Sequence, residues 1–310
     1  MDIIFAPIIL FVYNRPSHTK QVLEALSLNP EAKKSDIYIY CDGAKLVATV
    51  EDLEKIKETR RIIKEENRFK NIIIIERDQN FGLANSIIAG VEYVVNKHGK
   101  AIILEDDILP SIGFLKYMNE ALTLYDNELS VGCIHAWNYH LDTANCHNTS
   151  FFLKGSDCWG WGTWLRAWNL FNPDGKVLLQ NIRDRKIEFE INRNGTFPFV
   201  EMLTDQVAGK IDSWAIRWYV SLFLENKFCL HPSRPIVKNI GFDNSGVHCG
   251  ELDIQQEPVN YIDLSKIPIE ESKWFFDEYR KYEKIKLKKN KITLVEKIKT
   301  KIRKFVSDFY

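Results

Sequence analysis

Short apolar runs alternate along the first third of the chain with longer stretches in which apolar residues return every three or four positions. The runs Ala6 to Val12 (APIILFV), Asp36 to Tyr40 (DIYIY), Asn71 to Ile75 (NIIII) and Ala101 to Leu104 predict buried strands, rich in β-branched residues. Between them the spacing predicts a helix capped near Ser17 that turns Val22, Leu23 and Leu26 inward. A charged amphipathic helix from Glu51 to Asn67 follows, then a helix opened by the loop Asn80 to Ser86 and ending near Asn96. Strand and helix at this spacing form βαβ units, so residues 1–110 read as half of a doubly wound, mostly parallel α/β sheet flanked by helices. Further on, Phe114 to Tyr125 and Ile211 to Leu224 predict helices and Val131 to Trp137 a strand. Arg234 to Gly250 predicts a late strand and a glycine-flanked loop carrying His248.

The fourth strand ends unlike the others. Glu105, Asp106 and Asp107 follow Leu104 directly, and three adjacent carboxylates repel one another unless a cation, a ligand or open solvent answers them. On an extended chain Glu105 and Asp107 share one face and Asp106 takes the other. Hard oxygen ligands with open coordination positions suit Mg²⁺ or Mn²⁺ gripping a diphosphate. The plainer alternative is a strand end with a solvated acidic turn. Open α/β sheets bind ligands at the carboxyl ends of their strands. Arg15, in the turn after the first strand, Asp42, after the second, and the Glu105 to Asp107 cluster all fall there.

Composition changes the picture little. Of 310 residues 45% are hydrophobic, and 42 basic residues balance 42 acidic ones, so net charge favours neither nucleic acid nor membrane. The six cysteines form no CxxC pair, which predicts reduced thiols and a cytoplasmic protein. No secretory leader and no stretch long enough to span a bilayer are evident. Two local biases matter more. From Ser156 to Trp168 aromatics and glycine crowd together, and tryptophan faces beside polar groups suit a sugar ring, although a second packed core explains them equally well. From Arg280 onward twelve basic residues surround Leu294, Ile298, Ile302 and Phe305 at helical spacing. They predict a basic amphipathic helix that either lies on an anionic membrane surface or packs one stripe on the domain.

Taken in order, Tyr13-Asn14-Arg15, Cys41-Asp42-Gly43, Leu104-Glu105-Asp106-Asp107, Ala136-Trp137-Asn138, Trp159-Gly160-Trp161, Asp212-Ser213-Trp214 and Gly246-Val247-His248 resemble the motifs of GT-A-fold inverting glycosyltransferases. These are the family 2-like bacterial sugar transferases and the eukaryotic N-acetylglucosaminyltransferase that begins complex N-glycans. The resemblance implies a Rossmann-like GT-A catalytic domain over residues 1–250, with residues 111–250 as its acceptor-binding half and residues 251–310 as an extension. It implies that Arg15 and Asp42 hold the uracil of a UDP-sugar and that Glu105 and Asp106 contact sugar and ribose. Asp107 would be the Mn²⁺ or Mg²⁺ ligand, Asp212 the catalytic base, and His248 a ligand of diphosphate or metal. Trp137, Asn138, Asp157, Trp159, Trp161 and Trp214 are the candidates for the acceptor or sugar cleft. Ser213 stands where the eukaryotic enzyme has a second acid, and the Trp159 segment is richer in tryptophan, which implies a different acceptor.

One base, one metal and a diphosphate leaving group suffice for inverting transfer. A glycosidase instead needs two carboxylates facing each other across the bond. The expected activity is metal-dependent transfer from a UDP-sugar to a glycan or lipid-linked saccharide, in bacterial surface polysaccharide synthesis at the inner face of the plasma membrane. Two alternatives remain: a sugar-1-phosphate nucleotidyltransferase, against which stands the lack of a glycine-rich phosphate loop after the first strand, and a non-catalytic carbohydrate-binding protein.

Overall fold

The computed structural model describes residues 4–139, 141, 143, 146, 148–243 and 257–282. Its centre is an eight-stranded sheet in the order β3-β2-β1-β4-β8-β6-β9-β7. The first four strands are β1 (Ile8–Val12), β2 (Asp36–Cys41), β3 (Asn71–Glu76) and β4 (Lys100–Glu105), and they pair in parallel. Their connecting helices are α1 (Pro16–Ser27), α2 (Val50–Glu65) and α3 (Leu83–His98). The period of two along β1 separates the two faces of the sheet: Ile8, Leu10 and Val12 join a core with Val22, Leu23, Leu26 and Ile63, whereas Ile9 and Phe11 face Ile87, Val91 and Val94 of α3. The strands are apolar on both faces because helices cover both.

α1 starts earlier than the expected cap at Ser17. Pro16 takes the first helical position, where its missing N–H costs nothing, and Arg15 stands at the cap position without a side-chain cap hydrogen bond.

The second half departs further from the expected pattern. β4 continues into a short strand β5 (Ile108–Pro110) and helix α4 (Phe114–Leu124), then β6 (Val131–His135), β7 (Ser150–Lys154) and β8 (Trp161–Trp164). β8 runs antiparallel to both β4 and β6, so its first residues lie where β4 and β6 end. After the helices α5 (Leu165–Trp168), α6 (Gly175–Arg185), α7 (Glu188–Ile191), α8 (Phe199–Val207) and α9 (Trp214–Leu224), the strand β9 (Phe228–Pro232) pairs in parallel with β6 and antiparallel with β7. β10 (Val237–Asn239) pairs with β5 outside the main sheet. The tryptophan-rich stretch therefore contains a central strand. Trp161 is 1% exposed and stacks with Trp214 at 5.2 Å, beside Trp168 and Trp218.

Residues 257–282 pack on the domain. Ile262 and Ile267 enter the core, and Phe275, Phe276 and Tyr279 form a cluster with Phe151 and Leu153. The basic helix expected beyond Arg280 lies outside the described residues, apart from the helical Arg280 to Tyr282. The five described cysteines are free thiols, and among the described residues no helix is long and apolar enough to cross a membrane.

Candidate active site

One edge of the sheet collects the chemistry. The carboxyl ends of β1, β2, β4, β6 and β9 meet there with the start of antiparallel β8, so residues far apart in sequence become neighbours. Arg15 is the hinge between two of them. Its Nη1 donates to Asp107 Oδ2 at 3.0 Å and its Nη2 donates to Asp106, forming ion pairs with both carboxylates.

Arg15 pairs with two of the three adjacent carboxylates, and the balance is visible in the proton affinities of Glu105 and Asp106. Burial, with Asp107 and Asp106 adding to it, pushes Glu105 up to about 8 against the opposing pull of Arg15. Burial likewise raises Asp106 to about 6, although Arg15 holds it down. For Arg15 itself burial works against the charge, but the two aspartates outweigh it and its pKa rises. Among the described residues the cluster is short of positive charge, which fits a divalent cation held by hard oxygen ligands. Asp107 is also held in place by the segment that follows β10. Gly241 passes so close that a Cβ there would lie 2.5 Å from Asp107 Oδ2, and the Ile240 N–H donates to the Asp107 carbonyl at 2.8 Å. β10 delivers this segment, and His18 on α1 secures it through the Ile240 carbonyl at 3.3 Å and Asp243 at 3.2 Å. His248 lies outside the described residues.

Asp42 sits at the same edge but is committed locally. Its carboxylate accepts from the N–H groups of Gly43, Phe81 and Gly82 at 2.9–3.1 Å, tying the end of β2 to the loop that opens α3. Gly43 makes this crossing possible, because a Cβ there would fall 2.4 Å from the Gln79 backbone.

The tryptophans divide into two groups. Trp137 and Trp159 are partly exposed, meet edge to face at 4.6 Å, and adjoin Phe242 of the β10 segment. They form a wall that adjoins, through Phe242, the segment passing Asp107. Trp161 and Trp214 do not line a cleft as expected: at 1% and 3% exposure they are core side chains, placed there by the inward register of β8 and the first turn of α9. Asn138 is also buried, its amide donating to the Ser233 carbonyl at 2.6 Å and its oxygen accepting from the Tyr139 N–H. Asp212 precedes α9 rather than lying inside it. Ser213 provides the cap by accepting from Ile216 N–H, while the Asp212 side chain is 65% exposed and 3.4 Å from Arg217 Nη2.

Asp157 is drawn into a group that sequence reasoning missed. Its oxygens lie with ring nitrogens of His135 and His231, all three ligand atoms within 4.8 Å of one another. Burial lowers the pKa of both imidazoles. The signal was a repeat of pattern: β6 ends Cys133-Ile134-His135 and β9 carries Cys229-Leu230-His231 before its last residue, and the parallel register pairs Cys133 with Cys229 and Ile134 with Leu230.

The chain matches Glycosyl transferase family 2 over residues 8–189, more than half its length. None of the curated proteins compared with it matches. Among solved structures it is similar in part to a mannosyltransferase, PcManGT, from Pyrobaculum calidifontis, at 14% identity and TM-score 0.32, over 44% of this chain and 36% of that one. It is similar to TarS from S. aureus at 12% identity and TM-score 0.30, over 48% of this chain and 24% of that one. A UDP-glucose pyrophosphorylase is similar at 11% identity and TM-score 0.35, over 73% of this chain and 90% of that one. The family match takes in β1 to β4, the Glu105 to Asp107 cluster and the Trp159 segment, and by it the chain belongs to glycosyl transferase family 2.

Proposed function

We propose that this glycosyltransferase moves a sugar from a UDP-sugar to a hydroxyl of a glycan or lipid-linked saccharide, with inversion and with help from Mn²⁺ or Mg²⁺. The observation that carries the reading is the Arg15-braced carboxylate cluster at the carboxyl end of β4, where Arg15 pairs with two of three adjacent acids. Asp107, with Asp106 beside it, is the group that would hold the metal. A divalent ion bound there offsets charge on a departing diphosphate.

The chain's own residues divide the remaining work. Arg15 keeps Asp106 and Asp107 oriented at the sheet edge, and Glu105 is positioned to accept a hydrogen bond from donor sugar or ribose. Asp42 shapes the loop at residues 79–82 against which the nucleotide base would rest. Trp137 and Trp159 offer apolar faces to a saccharide. Asp212, exposed and loosely oriented by Arg217, is the base that takes the proton of the acceptor hydroxyl as its oxygen attacks the anomeric carbon and the bond to UDP breaks. A role in surface polysaccharide synthesis at a membrane face follows from the acceptor class and from the basic C-terminal sequence.

The test is product analysis with purified protein. Transfer releases UDP and yields a β-linked product from an α-linked donor. Release of pyrophosphate from UTP and a sugar phosphate would instead support the nucleotidyltransferase alternative.

A further inference from the structure

We propose that His135, Asp157 and His231 form a second cation site, separate from the Glu105 to Asp107 cluster and suited to a zinc-like transition-metal ion. His231 is fully buried, and neither of its ring nitrogens makes a hydrogen bond among the described residues. A buried imidazole left this way is costly, and a metal is one of the few ligands that removes the cost. The Trp137 carbonyl bears on both rings, but only its contact with His135 has hydrogen-bond geometry.

The second histidine is set up for the same purpose. His135 Nδ1 lies 3.0 Å from the Trp137 carbonyl and must donate, which leaves Nε2 with its lone pair toward Asp157 Oδ1 at 3.9 Å. A backbone carbonyl fixing the tautomer is the usual support of a metal-binding histidine. At present the lone pair accepts the Trp159 N–H at 3.0 Å. Ion and amide compete for it, so occupancy shifts the Trp159 backbone and its indole.

Charge decides the class of ion. Arg193 faces the cluster through one hydroxyl: its Nη1 donates to Tyr139 Oη at 2.7 Å, and Tyr139 Oη donates to Asp157 Oδ2 at 3.2 Å. Its positive charge disfavours a cation held by electrostatics alone, such as Mg²⁺. Two imidazoles and one carboxylate bind Zn²⁺ or Co²⁺ through the covalency of bonds to a borderline-soft ion instead.

The experiment uses the full chain, stripped with chelator, without nucleotide and in excess Mg²⁺ to satisfy the Glu105 to Asp107 cluster. Co²⁺ alone is titrated while visible absorption and tryptophan fluorescence are recorded. The expected result is one equivalent of Co²⁺ giving a visible band with a fluorescence change, kept in Asp107→Asn and weakened at least about tenfold in His231→Phe. Asp157→Asn, at a partly exposed position, weakens it likewise and carries the test if His231→Phe does not fold. Absence of a stoichiometric band in the wild type, or binding unchanged in a folded His231→Phe or Asp157→Asn protein, overturns the proposal. Either outcome is independent of sugar transfer, so it stands apart from the proposed function.

Discussion

Arg15 Nη1 reaches Asp107 Oδ2 at 3.0 Å although 92 positions separate the two residues. The contact exists because β1 and β4 are adjacent and parallel, with Phe11 in register with Glu105, so the turn after one strand faces the acids after the other. The guanidinium thus supplies the positive charge that Asp106 and Asp107 need for folding. Removing it in Arg15→Ala leaves buried carboxylates uncompensated and costs up to about 3–5 kcal/mol. Mn²⁺ is expected to restore part of that loss. Chemical denaturation of the variant with Mn²⁺ and with EDTA measures it, and equal stability in the two conditions would detach Asp107 from metal binding.

Proton linkage gives a second prediction. Glu105 has its pKa raised from 4.5 to about 8 by burial and by Asp107 and Asp106, so the folded protein binds a proton that the unfolded chain has released across that window. In EDTA, stability therefore falls as pH rises from about 5 to about 8, by at most about 1.4 kcal/mol per pH unit for this one carboxyl. Glu105→Gln flattens the slope and stabilises the protein at pH 8. Denaturation curves over this range decide the matter, and a slope unchanged in the variant would show that Glu105 is ionised in the fold.

The division among the tryptophans separates stability from acceptor binding. Trp161→Ala empties a core position stacked on Trp214 and is expected to cost about 3–5 kcal/mol. Trp159→Ala, at the partly exposed wall, costs less but raises the KM for acceptor several-fold, with the KM for donor little changed. Steady-state kinetics alongside melting curves tests the pair, and an unaltered acceptor KM in Trp159→Ala places the acceptor elsewhere.

The roles proposed for Asp212 and Asp107 differ, and so does the defect each variant is expected to leave. Asp212→Asn keeps donor binding and lowers turnover by about 10²–10⁴-fold, the range of general-base catalysis. Asp107→Ala loses both metal-dependent donor binding and turnover. Donor affinity measured by calorimetry next to single-turnover rates distinguishes them. Near-normal turnover in Asp212→Asn would assign the base to another residue.

The first half of the fold was legible because its signals are local. β1 to β4 are apolar on both faces and alternate with amphipathic helices, so their succession along the chain could be read from periodicity, and the positions of Arg15, Asp42 and the Glu105 to Asp107 cluster marked one sheet edge. The second half is built from strands of three to five residues, such as β5, β8 and β10, whose pairing is set by partners far away in sequence. Trp161 shows the consequence: beside Gly160 and Gly162 it resembles a cleft residue, and only its register with Ile103 and His135 turns it into the core. His135 and His231 were invisible as a pair for the same reason, since nothing local joins the end of β6 to the end of β9. Arg15, Asp106 and Asp107 were recognised individually, but their ion pairs required the sheet.

The most direct measurement is the thermal stability of the purified protein with UDP and a panel of UDP-sugars, each in Mn²⁺ and in EDTA. A ligand that binds only the folded state raises the midpoint in proportion to the logarithm of its concentration over Kd. A midpoint raised by UDP and by one UDP-sugar in Mn²⁺, abolished by EDTA and absent in Asp107→Ala, is the predicted result. No shift with any nucleotide in either condition would contradict a metal-assisted UDP-sugar site at the Glu105 to Asp107 cluster.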